Sequence, residues 1–199
     1  MSANLDTREA RLNDPHVLPL MELVRKLRNR LDSPGVPNVD PNDGGVNARA
    51  LFLLETPGPR AVGTGFVSRD NPDPTARNMG SALDEAGFLR SDVVLWNVVP
   101  HYVSSHDKSR NVSALQIREA APDCQTFVDE LLRRKLAVVV FCGRSAQRAQ
   151  SLLRLAPAIS LSTFHTGAMS FNRKRCRDDI HATFKRAFEL ISKSPFRKS

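Results

Sequence analysis

The fold is decided by a stretch of twelve residues, LAVVVFCGRSAQ, at positions 136–147. Its first half, Leu136–Phe141, is apolar throughout and rich in valine, which is typical of a parallel strand buried on both faces. Gly143 follows, and helix-forming residues then extend from Arg144 to Leu155. A buried strand, a glycine turn and a helix form the repeating unit of α/β proteins.

The same alternation extends over most of the chain. Further strands are predicted at Ala50–Leu54, Asp92–Trp96 and Ile159–Phe164, and further helices at residues 15–31, Pro74–Ala86, Ser113–Arg134 and Arg173–Ser192. Pro122 is expected to break or restart the helix that contains it. Strands that alternate with helices predict a parallel sheet covered on both faces. The predicted fold class is therefore α/β, a three-layer αβα sandwich with a central four-stranded parallel sheet.

A single domain is predicted over residues 1–199, because 199 residues are enough for one good core and too few for two ordinary domains. Residues 1–49 comprise an N-terminal helix and a long loop, rich in Pro, Gly, Asn and Asp from residue 32. Residues 50–192 form the α/β core. Residues 193–199 form a basic tail.

The composition excludes several classes of protein. With 41% hydrophobic and 25% charged residues, the chain is not disordered throughout. Its apolar runs fall far short of the roughly 20 residues of a membrane-spanning helix, and Met1–Asp14 lacks the apolar stretch of a signal peptide. The cysteines Cys124, Cys142 and Cys176 form no CxxC pair, so no disulfide framework and no zinc or iron–sulfur site is predicted. A reducing, cytoplasmic setting is expected, at the nucleoid if the source is bacterial.

The excess positive charge is concentrated near the C-terminus. The formal net charge is +8, and the pI of about 10 predicts an anionic partner such as nucleic acid or a membrane surface. Residues 173–199 contain nine basic and three acidic residues, a balance of +6. A solvated helix with a basic tail and an anion-binding surface both explain this pattern.

Polar or glycine-rich residues follow all four predicted strands. They are Glu55–Arg60, Trp96–His101, Cys142–Gln147 and His165–Gly167. In open α/β sheets, ligands bind outside the carboxyl ends of the strands. The sequence therefore predicts a cleft that contains an acid, an amide, a histidine and glycine-rich backbone.

Each of these residues also admits a purely structural interpretation. Glu55 could cap a helix or pair with Arg60. Asn97 could bond to the backbone of its own loop, as asparagine commonly does after a strand. Gly143 could serve only a tight turn, and His165 could be a structural histidine with its hydrogen bonds satisfied.

Five segments resemble, in order, the motifs of the uracil-DNA glycosylase superfamily. They are Leu54–Gly58 (LETPG), Gly65-Phe66, Leu95–Asn97 (LWN), Gly143–Gln147 (GRSAQ) and His165–Met169 (HTGAM). The resemblance extends from about Ala50 to Phe188. It implies a monomeric repair enzyme that flips uracil out of single- or double-stranded DNA and hydrolyses its N-glycosidic bond, leaving an abasic site. It implies no cofactor, no metal and no membrane partner.

The resemblance also implies roles for individual residues. Glu55 and His165 would be catalytic: His165 would stabilise negative charge on the uracil O2, and Glu55 would favour the cationic sugar or orient water. Thr56, Phe66 and Asn97 would bind the base, with Phe66 stacking on its face and Asn97 pairing with its edge. Contacts to DNA are implied for Pro57, Gly58, Gly143, Ser145, Met169, Arg173, Lys174 and Arg175.

The chain departs from the superfamily at several positions. Thr56 stands where the most active branch has a water-activating aspartate, and Gly58 where that branch has a tyrosine that blocks the thymine methyl. The cysteines of the iron–sulfur branch are absent, and the His101–Arg110 loop has no assigned role. Two alternatives therefore stay open, a catalytically weak protein that binds DNA or abasic sites and a glycosylase for another deaminated base. An RNA- or nucleotide-binding α/β protein is disfavoured, because no P-loop or dinucleotide motif is present.

Overall fold

A computed structural model describes residues 3–32, 35–103 and 112–193, with side chains from Thr7 onward. Two predictions lie outside these residues, namely the basic tail beyond Lys193 and the part of the His101–Arg110 loop that begins at residue 104. No helix in the described ranges is long and apolar enough to cross a membrane.

Six strands and eight helices occur in the described residues. The strands are β1 (Asn38–Val39), β2 (Ala50–Leu54), β3 (Phe66–Val67), β4 (Val93–Asn97), β5 (Val138–Cys142) and β6 (Ile159–Thr163). The helices are α1 (Ala3–Ala10), α2 (Leu18–Leu31), α3 (Pro59–Thr64), α4 (Pro74–Ala86), α5 (Ala114–Leu132), α6 (Arg144–Ala149), α7 (Ala168–Phe171) and α8 (Lys174–Lys193).

Four strands form a fully parallel sheet in the order β4-β2-β5-β6. The chain passes from β2 to β4 on one side and then crosses back to β5 and β6 on the other. Helices α4 and α8 pack together on one face, whereas α2, α5 and α6 pack on the other. The predicted three-layer α/β sandwich is confirmed.

Burial of the strands follows their sequences. Every residue of β4 and β5 is buried, in keeping with their apolar character on both faces. Strand β6 is the exception, since Thr163 is its only buried residue. Its Ser160 and Ser162 both hydrogen-bond to Gln150 at 3.0 Å.

Some element boundaries differ from the predictions. Helix α5 continues through Pro122, because Pro122 lies on the exposed side while Ile117 and Cys124 anchor the buried side on either side of it. Water can therefore satisfy the carbonyl group that loses its N–H partner. The helix predicted from Arg144 to Leu155 is shorter, since α6 ends at Ala149 and a 3₁₀ turn follows.

The predicted loop of residues 32–49 contains a strand and a buried ion cluster. Strand β1 pairs in parallel with β3, with Asn38 opposite Phe66. The guanidinium of Arg90 lies 3.2 Å from Asp40 and 3.0 Å from Asp43, and both carboxylates are buried. Burial, together with the neighbouring Asp40, raises the pKa of Asp43 to about 7. These contacts fix the N-terminal segment against the strand edge.

Candidate functional site

The carboxyl ends of the parallel strands meet at one edge of the sheet, where a cavity of about 320 Å³ opens. Thr56 and His165, which lie shortly after β2 and β6, and Asn97, the last residue of β4, belong to its wall. Asp73, which directly precedes α4, also lines the cavity. The cavity thus lies outside the carboxyl ends of the strands, where ligands bind in open α/β sheets. We call this space the Asn97 cavity.

Asn97 presents an unpaired amide to the cavity. It is the last residue of β4 and only 2% exposed, yet its side chain makes no hydrogen bond to any residue in the described ranges. Its strand neighbour Trp96 stacks on Phe127 at the opposite face, with ring centroids 4.5 Å apart. Buried amides are normally hydrogen-bonded, so both polar atoms of Asn97 are available to a ligand. In the structure, the side chain of Asn97 does not bond to the backbone of its own loop within the described ranges.

His165 is held as a neutral imidazole. The backbone N–H of Gly167 donates to its Nδ1 at 2.9 Å, so the ring proton resides on Nε2. Burial lowers the pKa of His165, and the nearby carboxylates Glu55 and Asp73 oppose this only in part. The ring therefore offers an uncharged Nε2–H donor at the cavity wall.

Two glycines leave room for this ring. A Cβ atom at Gly143 would lie 3.0 Å from the Cβ of His165, and one at Gly167 would lie 2.9 Å from its Nδ1. Gly143 also has φ = +95°, a backbone conformation that favours glycine. Gly143 therefore serves both the turn after β5 and the placement of His165.

The segment after β2 is tied to the segment after β4. The hydroxyl of Thr56 donates to the carbonyl of His101 at 2.7 Å, and the N–H of Val99 donates to the carbonyl of Glu55 at 3.0 Å. Pro57 and Gly58 follow on the cavity wall. A Cβ at Gly58 would meet no atom within 4 Å, so this part of the wall is open.

Of the five residues predicted to be catalytic or to bind the base, Glu55 and Phe66 do not line the Asn97 cavity. The carboxylate of Glu55 accepts a hydrogen bond from the N–H of Val112 at 2.7 Å and lies on the other side of His165. The ring of Phe66 is fully buried in β3, with the guanidinium of Arg8 4.3 Å from its centroid. Neither side chain therefore contributes to the wall that holds the amide of Asn97.

A second, larger depression of about 850 Å³ adjoins the cavity, and His165 borders both. Its wall includes the predicted DNA contacts Gly143, Ser145, Met169 and Arg173, together with Glu55. Two other residues of its wall were not predicted as site residues from the sequence: Arg144, and Phe164, which is 39% exposed. We call this depression the Met169 groove, because the side chain of Met169 is 79% exposed at its rim.

The three predicted cations differ in their surroundings. Arg173 lines the Met169 groove, and Arg175 is exposed beside it in α8. Lys174 is exposed too, but its ammonium group lies 2.7 Å from the carboxylate of Asp178 one turn further along the helix. Lys174 is therefore partly neutralised, whereas the two arginines carry the free positive charge of this surface.

Other chemistries find little support in the described residues. Burial raises the pKa of Cys142 to about 12, so its thiol is not a nucleophile at neutral pH. No three His, Cys, Asp or Glu side chains of the described ranges are grouped in a way that could hold a metal ion. Searches against protein-family models and against curated proteins found no match to the chain.

Proposed function

We propose that the protein is a DNA glycosylase that binds a uracil base in the Asn97 cavity and hydrolyses its N-glycosidic bond, leaving an abasic site in DNA. One observation carries this proposal: Asn97, with an unpaired amide, and His165, with its Nδ1 occupied by the N–H of Gly167, line the same cavity. Its volume of about 320 Å³ is at the lower end of small-ligand sites, roughly 300–1,000 Å³, which suits a single base.

The amide of Asn97 matches the edge of uracil. Its oxygen can accept from the N3–H of the base, and its NH₂ group can donate to O4. Cytosine has the opposite arrangement at these two positions, so it would leave buried polar atoms unpaired. Such mismatches are costly inside a protein, and the cavity would therefore exclude the normal base.

The imidazole of His165 matches the charge that develops during cleavage. When the bond between C1′ and N1 breaks, its electron pair remains on the base and negative charge builds up on O2. A neutral Nε2–H directed at O2 stabilises that charge. Glu55, on the groove side of the same ring, adds negative potential that favours the cationic sugar.

The Met169 groove is suited to the rest of the DNA. Met169 is an exposed apolar side chain of the kind that other DNA-bending proteins insert between bases. Phe164 offers an aromatic face for stacking, and Arg144 and Arg173 can contact phosphates. The protein would act as a monomer in the cytoplasm, where both single- and double-stranded DNA are possible partners.

The first test is cleavage of an oligonucleotide that contains one uracil, in single- and double-stranded form, followed by alkali. We expect alkali-dependent strand breaks at the uracil and none in the matched thymine and cytosine oligonucleotides. Strand breaks only at another deaminated base would replace uracil as the proposed substrate. The open wall at Gly58 makes this result more expected than a complete lack of cleavage. Tight binding to abasic DNA without any cleavage would instead support a binding protein, as Thr56 at the position of a catalytic acid suggests.

The salt dependence of DNA binding tests the predicted basic surface. We expect the double variant Arg173→Gln/Arg175→Gln to reduce the slope of log K against log salt by about 1.8 for duplex DNA, because each phosphate contact contributes about 0.9. Lys174→Gln should have a smaller effect, since Asp178 already pairs with Lys174. Fluorescence anisotropy at several salt concentrations measures the slope.

The matched control removes two exposed cations from the opposite edge of the sheet, Arg134 and Lys135, which precede β5. Their replacement by glutamine lowers the net charge equally. If both double variants change the slope by the same amount, the effect is one of net charge, and the surface around Arg173 has no special role.

A further inference from the structure

The carboxylates near His165 lie in two different places. Glu55 belongs to the Met169 groove and is held by the N–H of Val112 at 2.7 Å. Asp73 is the only acidic residue that lines the Asn97 cavity within the described ranges. The sequence pattern of Asp73-Pro74 predicted only the start of a helix, so the position of Asp73 at the cavity is new information from the fold.

The cavity requires a proton acceptor that its other residues do not provide. The hydroxyl of Thr56 is not a base at neutral pH and already donates to the carbonyl of His101. The Nδ1 of His165 is occupied by the N–H of Gly167, and its Nε2 carries the proton. Among the described residues of the wall, a carboxylate at Asp73 is the remaining group that can take a proton from water.

We propose that Asp73 is the carboxylate that faces the reacting sugar and activates the attacking water. The inference rests on the proposed function and assigns to Asp73 a role that the sequence suggested for Glu55. In this step the oxygen of water forms a bond to C1′ as the bond from C1′ to N1 of the base breaks. The electron pair of the broken bond leaves with the base, and the proton of water passes to the Asp73 carboxylate and from there to the departing base or to solvent.

The surroundings of Asp73 hold it in a fixed orientation. Its Oδ1 accepts from the N–H of Ala76 at 3.0 Å and so caps α4, while Pro74 occupies the first helical position. This hydrogen bond engages one carboxylate oxygen and leaves Oδ2 for a water molecule. A carboxylate with one oxygen anchored and the other free is well placed to orient a nucleophile.

Helix α4 also holds the His165 loop, so Asp73 and His165 share one frame. The amide of Asn78 donates to the carbonyl of Thr166 at 2.7 Å, and the hydroxyl of Thr166 donates to the carbonyl of Thr75 at 3.3 Å. Both contacts lie within one residue of His165 and within five of Asp73. These contacts therefore hold Asp73, the acceptor for the water proton, at a fixed position relative to His165, the donor to the base oxygen.

Single-turnover cleavage of the uracil oligonucleotide by Asp73→Asn and Glu55→Gln tests the assignment. Asparagine retains an acceptor for the N–H of Ala76, so the helix cap is preserved while the charge is removed. We expect Asp73→Asn to slow cleavage by about 10²-fold or more with little change in DNA affinity, and Glu55→Gln to slow it less than tenfold. Asp84→Asn, which removes an exposed carboxylate from the same helix, is the matched control and should cleave at the wild-type rate.

A second measurement does not depend on catalysis. Because the charge of Asp73 raises the pKa of His165 against the effect of burial, Asp73→Asn should lower the pKa of His165 in an NMR titration, and Asp84→Asn should not. An unchanged cleavage rate in Asp73→Asn would overturn the assignment, as would an unchanged pKa of His165. A wild-type protein that cleaves no base overturns the proposed function itself, and the role of Asp73 falls with it.

Discussion

The Asn97→Asp variant is expected to lose uracil cleavage by a factor on the order of 10⁴ in kcat/KM, the range seen when a site built for hydrogen bonds meets a mismatched partner. Aspartate has nearly the same shape as asparagine, so the loss comes from chemistry. An ionised carboxylate has no donor for the uracil O4, and the oxygen that replaces the NH₂ group sets one acceptor against another. Initial rates on the single-uracil oligonucleotide measure the effect.

The comparison with Asn97→Ala separates lost recognition from active repulsion. Alanine removes both hydrogen bonds without adding a charge, so it should retain more activity than aspartate. Trp96 supplies the control for folding, because it is the single tryptophan of the chain, adjacent to Asn97 and stacked on Phe127. Its fluorescence should be the same in all three proteins. Cleavage by Asn97→Asp at the wild-type rate would show that Asn97 does not bind the base.

Those features that depend on local sequence could be predicted from the chain alone. The apolar runs of β2 and β5 predicted buried parallel strands, and helix α4 has the predicted bounds, with Asp73 as its cap. The rule that ligands bind at the carboxyl ends of strands then placed Asn97 and His165 at one edge. The structure brings both residues to one cavity. Burial on both faces fixes the register of the parallel strands, and the register brings their carboxyl ends to the same edge of the sheet.

The features that depend on distant contacts could not be predicted. Phe66 was expected at the base because Gly65-Phe66 resembles a base-stacking motif, but strand β3 pairs with β1, and Arg8 covers its ring. Glu55 follows β2 as expected, yet the N–H of Val112 determines where its carboxylate lies. Neither partner is close in sequence, and no local pattern marks the pairing.

The exposure of Phe164 in the Met169 groove is another feature that the sequence did not predict. Phe164 was predicted as the last residue of the fourth strand, with no role in a site. In the structure β6 ends at Thr163, and Phe164 is 39% exposed and lines the Met169 groove beside His165.

The His165→Ala variant is expected to reduce kcat by a factor on the order of 10² to 10³, the usual effect of removing one donor to a developing anion. Affinity for uracil-containing DNA should change little, because the Nε2–H acts mainly as charge builds up on O2. Single-turnover rates and equilibrium binding measure the two effects separately. His181→Ala is the matched control, since that histidine belongs to α8 and faces Glu85.

The pH dependence of the wild-type protein distinguishes a neutral His165 from a charged one. Protonation would put a second proton on Nδ1, which now accepts from the N–H of Gly167, and burial lowers the pKa of the ring below its ordinary value of 6.5. Any fall in rate that is caused by protonation of His165 should therefore have its midpoint below pH 6.5. If His165→Ala weakens DNA binding but leaves the single-turnover rate unchanged, His165 contacts DNA and does not stabilise the leaving base. Two observations together would contradict a neutral His165. The first is a wild-type rate that falls with a midpoint at or above pH 6.5, and the second is the loss of that pH dependence in His165→Ala.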